Sequence, residues 1–225
     1  MSFESVMPPY NSTDPTARFL SSSSLDFLLI EMVPMAYRVT NQLASSSSAT
    51  SSPSTGSDPT IQSQIQEGKK EEQEREPPAA SAAVVLDEEE LRESVFFRLE
   101  SIGYRVGQGL VERFSRDRTR FGDTLDVIKF LCKDLWTLVF RKQVDNLKTN
   151  HRGVYVLTDN QFRPFSRMST EPGGQAVLRA QPFLWLPCGI VRGALAAMGI
   201  QATVQAETTE LPGAVFQIKT IAGKN

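Results

Sequence analysis

The run LDEEELRESVFFRLESIGYRVGQGLVERF, residues 86–114, sets the terms for the rest of the chain. Leu91, Val95, Leu99, Ile102, Val106, Leu110 and Phe114 recur every three or four residues, the period of one helix face. Asp87 stands where an N-cap oxygen is needed, and Glu88 to Glu90 follow in the first turn, where the helix dipole favours negative charge. Such a helix is about 40 Å long at 1.5 Å per residue. That is more apolar length than one small core covers, so the stripe calls for a partner surface. Gly103, Gly107 and Gly109 lie inside it, each costing up to about 1 kcal/mol against alanine. Close packing of another element over these three glycines is the expected compensation. A phosphate-binding glycine loop does not fit the context. A dinucleotide fingerprint needs a preceding strand and a helix that starts at the glycines, and no Gly-Lys-Ser/Thr follows.

Upstream, Leu25, Leu28, Leu29, Met32 and Ala36 fall at helical spacing, while Phe27, Ile30, Val33 and Tyr37 add a second apolar face. Ser24 is the expected N-cap, and Pro34 is expected to kink or split this helix because it removes a backbone donor. Residues 1–24 have no apolar period and read as a disordered leader. Between the two helices, residues 44–83 turn to Ser, Thr, Pro, Gln and Glu, with six acidic residues against three basic ones. They cannot bury enough apolar area to offset a backbone ordering entropy of about 1–2 kcal/mol per residue, and read as a disordered insertion.

Downstream, Leu125, Ile128, Leu131, Leu135, Leu138 and Val139 give one face of a helix from Thr124 to about Lys142, broadened by Trp136 and Phe140. Val154 to Leu157, a turn at Asp159-Asn160 and Phe162 to Met168 read as a hairpin, with Pro164 at an edge or bulge. Pro172-Gly173-Gly174 closes that unit. Gln175 to Met198 reads as helix broken by Pro182 and Pro187 and capped by Gly199. Thr203 to Glu207 and Ala214 to Ile221 form a second hairpin about Leu211-Pro212-Gly213. Isolated hairpins are marginal in water, so these patterns predict an α+β fold with helices on one face of a four-stranded antiparallel sheet. A single domain over residues 25–225, interrupted by the insertion, is expected.

The chemistry of the chain argues against catalysis. The net charge of −2 gives no field of one sign for nucleic acid, and Glu112, Asp117 and Asp123 offset the basic run Arg113, Arg116, Arg118 and Arg120. Cys132 and Cys188 sit in apolar runs as buried small side chains, and with the lone His151 they do not make a zinc site. His151 reads as a turn residue with no nucleophile or orienting carboxylate signalled beside it. The carboxylates Glu112, Asp117, Asp123, Asp126 and Asp134 are scattered among basic residues, so they read as solvated charge rather than a paired acid and base. No cofactor or metal is implied. Met1 to Leu20 lacks the basic and apolar regions of a secretory signal. Leu25 to Ala36 is interrupted by Asp26, Glu31 and Pro34 and falls short of the roughly twenty residues that span a bilayer, so no transmembrane anchor is expected.

GYRVGQGLVERF at 103–114 and DVIKFLCKDLW at 126–136 resemble the small subunits of the transport protein particle, TRAPP. KQVDNLKTNHRGVYVL at 142–157 and CGIVRGA at 188–194 look like the sixth subunit type. The resemblance spans about 25–43 and 86–221. It implies a non-catalytic subunit of a particle that tethers vesicles in ER-to-Golgi transport and promotes nucleotide exchange on an early-secretory Rab GTPase. It also implies a cytoplasmic protein held peripherally at cis-Golgi and endoplasmic reticulum membranes. In the family the sixth subunit pairs with a paralogous small subunit through its first two helices, which here assigns Leu28, Leu29, Met32, Val95, Leu99, Val106 and Leu110 to a heterodimer interface. A paralogue carries an acyl-accepting cysteine just after the long helix; Ser115 to Thr124 contains none, so that acylation does not transfer. The alternative is a small apolar-ligand or lipid-binding module, with the ligand enclosed between sheet and helices. A core filled by Trp136, Phe140 and Trp185 would count against it.

Overall fold

The computed structural model describes residues 21–49, 87–116, 118, 120–150, 152–168 and 175–221. Residues 1–20 of the expected leader, 50–83 of the insertion, His151 and the Pro172-Gly174 break lie outside the described residues.

Helix α1 runs Ser22–Ala49. It begins before the expected Ser24 cap: the Ser21 carbonyl accepts from the Ser24 amide at 3.0 Å, and the Ser21 hydroxyl accepts from the Ser23 amide. It also continues through Ala44–Ala49, which the sequence assigns to the insertion. There the Ser45 and Ser46 hydroxyls donate back to the carbonyls of Gln42 and Leu43. Pro34 neither splits nor ends the helix. It lies on an exposed side of the helix, where its ring meets solvent.

Helix α2, Glu88–Phe114, starts as its sequence demands, with the Asp87 carboxylate accepting from the Glu88 amide at 2.8 Å. The next amphipathic stretch is α3, Thr124–Phe130, then a π-helical turn, Leu131–Leu135, then α4, Trp136–Phe140. Asp123 caps its start through the Asp126 amide at 2.7 Å. Arg141, in the left-handed region at φ 64°, ends it. The π turn displaces the backbone so that the Cys132 carbonyl accepts from the Val144 amide at 3.1 Å, which leads the chain into the sheet.

Strands β1, Asn146–Thr149; β2, Val154–Asp159; β3, Ala202–Glu207; and β4, Ala214–Thr220 form one antiparallel sheet in the order β1-β2-β4-β3. Leu157 stands opposite Leu147 on one side and Phe216 on the other, and Phe216 opposite Ala206. The fold class matches the sequence pattern, but the first hairpin does not. β2 pairs with Asn146–Thr149, whereas Arg163–Phe165 is a single 3₁₀ turn with Pro164 in its first turn. Phe162 and Phe165 are both buried. Side chains three apart share one side of a turn but point to opposite faces of a strand, so the apolar pattern there is a turn pattern.

The last helical segment comprises α5, Gln175–Ala180, a 3₁₀ turn, Gln181–Leu184, and α6, Trp185–Ala197. Pro182 opens the 3₁₀ turn and Pro187 sits in the first turn of α6, positions that need no interior donor. Gly199, at φ +80°, closes it. The helices cover one face of the sheet, where Tyr155, Leu157, Asp159, Ala214, Phe216 and Ile218 are buried. The main core joins that face to α3, α4 and α6. A second cluster joins α1 (Leu29, Val33, Ala36) to Val95 and Leu99 of α2 and Trp185, Leu186 and Ile190 of α6.

Candidate interaction surface

The α2–α6 contact is built without side chains at its closest points. A Cβ on Gly103 would lie 2.2 Å from the Leu186 carbonyl oxygen, and one on Gly107 2.1 Å from that of Ile190. Gly189 and Gly193 on α6 return the pattern, with Cβ positions 2.1 Å from the Glu100 and 2.0 Å from the Tyr104 carbonyl oxygens. Two glycine pairs four residues apart therefore let the two backbones touch. Gly109 takes no part: open space surrounds its Cβ position. Two residues beyond Gly107 is about 200° around the helix, so it faces away from α6. The glycines of α6 went unassigned in the sequence, although their four-residue spacing in CGIVRG was the available signal.

Glu100, almost fully buried, spans this seam and forms a bidentate pair with Arg192, one arm at 2.7 Å. The Arg192 guanidinium also lies 4.5 Å from the centre of the Tyr104 ring, and the carboxylate beside it raises its pKa. Cys188 sits below it, its thiol pushed up to about 12 by burial and then by Glu100; burial alone does the same to Cys132. Both thiols are thus protonated and unreactive at neutral pH. Asp159, whose carboxylate is wholly buried, accepts from Trp136 Nε1 at 2.8 Å, Lys142 Nζ at 2.6 Å and the Gln161 amide at 3.0 Å. These bonds tie α4 to β2. Among the described residues no three His, Cys, Asp or Glu side chains gather to hold a metal ion.

Between sheet and helices, Trp136 lies 4.6 Å from Phe140 and 5.1 Å from Phe216, ring centre to ring centre, and Phe162 lies 4.9 Å from Phe140 and 5.2 Å from Phe165. Each such ring pair contributes about 0.5–1.5 kcal/mol beyond its buried area. The packed rings occupy the space the apolar-ligand reading requires and do not favour it.

Among the described residues most of the exposed large apolar side chains lie on α1 and α2. Phe27 is 67% and Phe97 69% exposed, and Leu28, Ile30, Met35, Leu43, Phe96 and Val106 are exposed too. Between the helices runs an open groove of about 850 Å³, floored by Met32, Ala36, Leu99 and Ile102 and edged by Met35 and Phe97. Of the residues assigned to an interface, Leu28 and Val106 are exposed, Met32 and Leu110 are half-buried, and Leu29, Val95 and Leu99 lie inside the chain, joining α1 to α2. Phe97 and Arg98 belong to the groove but fall outside the single stripe used to choose candidates.

The family profile described as Transport protein particle (TRAPP) component matches residues 25–221, from the first turn of α1 to the end of β4. The chain belongs to the TRAPP family. It is 53% identical over 121 residues to trafficking protein particle complex subunit 6b of Danio rerio, covering 54% of this chain and 76% of that protein. It is 51% identical over the same length to subunit 6B of Homo sapiens, covering 54% and 75%. Within the TRAPP family it is therefore of the subunit six type. A crystal structure of trafficking protein particle complex subunit 3 from Naegleria fowleri, covalently bound to palmitic acid, aligns with 58% of this chain and 82% of that one at TM-score 0.49 and 15% identity. Among the described residues, no helix of this TRAPP chain is long and apolar enough to cross a membrane.

Proposed function

We propose that this chain is a non-catalytic scaffold subunit of the TRAPP vesicle-tethering and Rab nucleotide-exchange complex, joined to it by heterodimerising with a paralogous small subunit through α1 and α2. It acts in ER-to-Golgi transport, peripherally at cis-Golgi and endoplasmic reticulum membranes, and meets the early-secretory Rab GTPase through the assembled complex. The observation that carries this reading is the set of exposed apolar side chains on α1 and α2, with Phe27 and Phe97 each about two thirds exposed and Phe97 lining a groove floored by Met32. Stable pairs cover about 800 Å² per partner around such an apolar centre, and a surface of this kind on a lone chain invites association. The names of the related proteins, as subunits of a complex, support it further. Leu28, Met32, Val106 and Leu110 contribute contact, while Leu29, Val95 and Leu99 hold the two helices in register beneath.

Size-exclusion chromatography of the chain mixed with paralogous TRAPP small subunits tests this, and a stoichiometric complex is the expected result. Met32→Asp is expected to abolish co-purification, because a carboxylate closed into an apolar interface without a partner costs several kcal/mol. A chain that stays monomeric with every small subunit, or undiminished pairing of a folded Met32→Asp variant, overturns the reading.

A further inference from the structure

Among the described residues, the half-buried arginines are matched to carboxylates, with one exception in the groove. Arg118 pairs with Asp134 at 2.6 Å, Arg163 with Asp26 at 2.8 Å, and Arg192 with Glu100. Arg98, also half-buried, has no ion pair among the described residues, and its Nε is fully enclosed without a hydrogen-bond acceptor. Helical spacing explains why its own element cannot help. The positions three and four residues away are Val95 and Ser94 on one side and Ser101 and Ile102 on the other, none of them acidic. Arg105, the next basic residue along the groove, is flanked at the same spacings by Ile102, Ser101, Gln108 and Gly109, again without a carboxylate.

The enclosed Nε–H is unfavourable, since a desolvated donor without an acceptor loses its water and gains nothing, whereas the Nη groups of the half-buried fork stay open to an acceptor from outside. The guanidinium carries five donors in a planar fork that matches a carboxylate and no apolar group. The groove thus presents an apolar floor from α1, through Met32, Ala36 and Val39, and a wall from α2 that carries Glu90 and Glu93 toward one end and Arg98 and Arg105, without a carboxylate at helical spacing, toward the other. Neutral apolar occupants fill the floor but leave Arg98 buried more deeply and still unpaired.

We propose that the occupant of this groove is a helix of the paralogous small subunit that carries an acidic side chain within its apolar face, and that the pair it makes with Arg98 selects the correct partner. The inference rests on the heterodimer reading above and adds to it the chemistry of the partner. Apolar contact supplies most of the adhesion. The charge pair supplies discrimination, because a small subunit with a neutral or basic residue at that point leaves Arg98 closed off without an acceptor or opposed by a like charge.

The test compares the full-length chain with its Arg98→Met and Arg98→Lys variants, each titrated with the small subunit that the unsubstituted chain captures. Methionine keeps the length and raises the apolarity, so circular dichroism is expected to be unchanged while affinity falls on the order of thirtyfold or more, the partner's carboxylate being left unpaired. Lysine is expected to restore part of that loss. Arg98→Glu is expected to bind least, and replacing one acidic residue on the partner's contacting helix by arginine is expected to restore it. If Arg98→Met binds as tightly as the unsubstituted chain or tighter, or if no single acid-to-arginine change on the partner rescues Arg98→Glu, the inference fails while the heterodimer stands. If the unsubstituted chain captures no small subunit and only a second copy of itself occupies the groove, both fail.

Discussion

A methyl group at Gly107 would lie 2.1 Å from the carbonyl oxygen of Ile190, and one at Gly109 would meet nothing within 4 Å. The two glycines are two residues apart on one helix, so Gly→Ala at each separates packing from helix propensity. Gly107→Ala presses against backbone, which cannot rotate away as a side chain does, and is expected to destabilise by about 1–3 kcal/mol or more. Gly109→Ala removes only the conformational freedom of an exposed helical glycine and is expected to stabilise by up to about 1 kcal/mol. Chemical denaturation of the two variants beside the parent checks both signs. Asp26 makes a second residue-scale case. Its carboxylate is held below the ordinary 3.8 by the Arg163 hydrogen bond and then by Arg167, against an opposing effect of burial. A depressed folded value means the contribution is complete above 3.8 and disappears as pH falls through the folded value beneath it. Asp26→Asn is therefore expected to lower the thermal midpoint by a few degrees at neutral pH and by progressively less below pH 4, as read by thermal unfolding across pH.

At the scale of elements, what the sequence revealed and what it hid have the same physical origin. Long periodic runs report burial directly, so α2, with its Asp87 cap, and the helical run from Thr124 were legible from spacing, while the Asp123 cap, the π turn and the end at Phe140 were not. β1 was not, because Asn146–Thr149 is a short edge strand with three of its four side chains exposed, and an edge strand has no apolar face to advertise. The turn at Asp159-Asn160 makes Phe162–Met168 look like the strand that pairs with β2. Only the three-residue spacing of Phe162 and Phe165 distinguished a turn. α1 outran its apolar pattern into Ala44–Ala49 since serine is tolerated at a helix end where its hydroxyl returns to a carbonyl one turn back. The candidate surface was legible in part. Apolar stripes located the two helices, but a stripe does not say which of its residues face inward, and Leu29, Val95 and Leu99 turned out to join the helices to each other. Arg98 was invisible for another reason: an arginine in a sequence carries no sign of whether the fold supplies it a carboxylate.

At the scale of the whole molecule, the two apolar clusters differ in how completely the chain closes them. The sheet cluster is enclosed by α3, α4 and α6 and centred on the wholly buried Phe162, Phe216 and Leu157. The α1 cluster has α2 and α6 on one side only, and α1 keeps Phe27, Leu28, Ile30 and Met35 exposed on the other. Local opening free energy follows the amount of apolar contact an element must break, so the isolated chain holds α1 less firmly than the sheet. Hydrogen exchange followed by mass spectrometry is expected to rank α1 amides as exchanging orders of magnitude faster than those of β2 and β4 in the free chain. Addition of the paralogous subunit is expected to slow α1 and the Glu90–Arg105 span of α2 together, while the sheet, already protected, changes little. Slowing confined to the sheet face opposite the helices would place the partner there instead, against the half-buried Val154, Val156 and Val215, and would leave the apolar side of α1 without an assigned purpose.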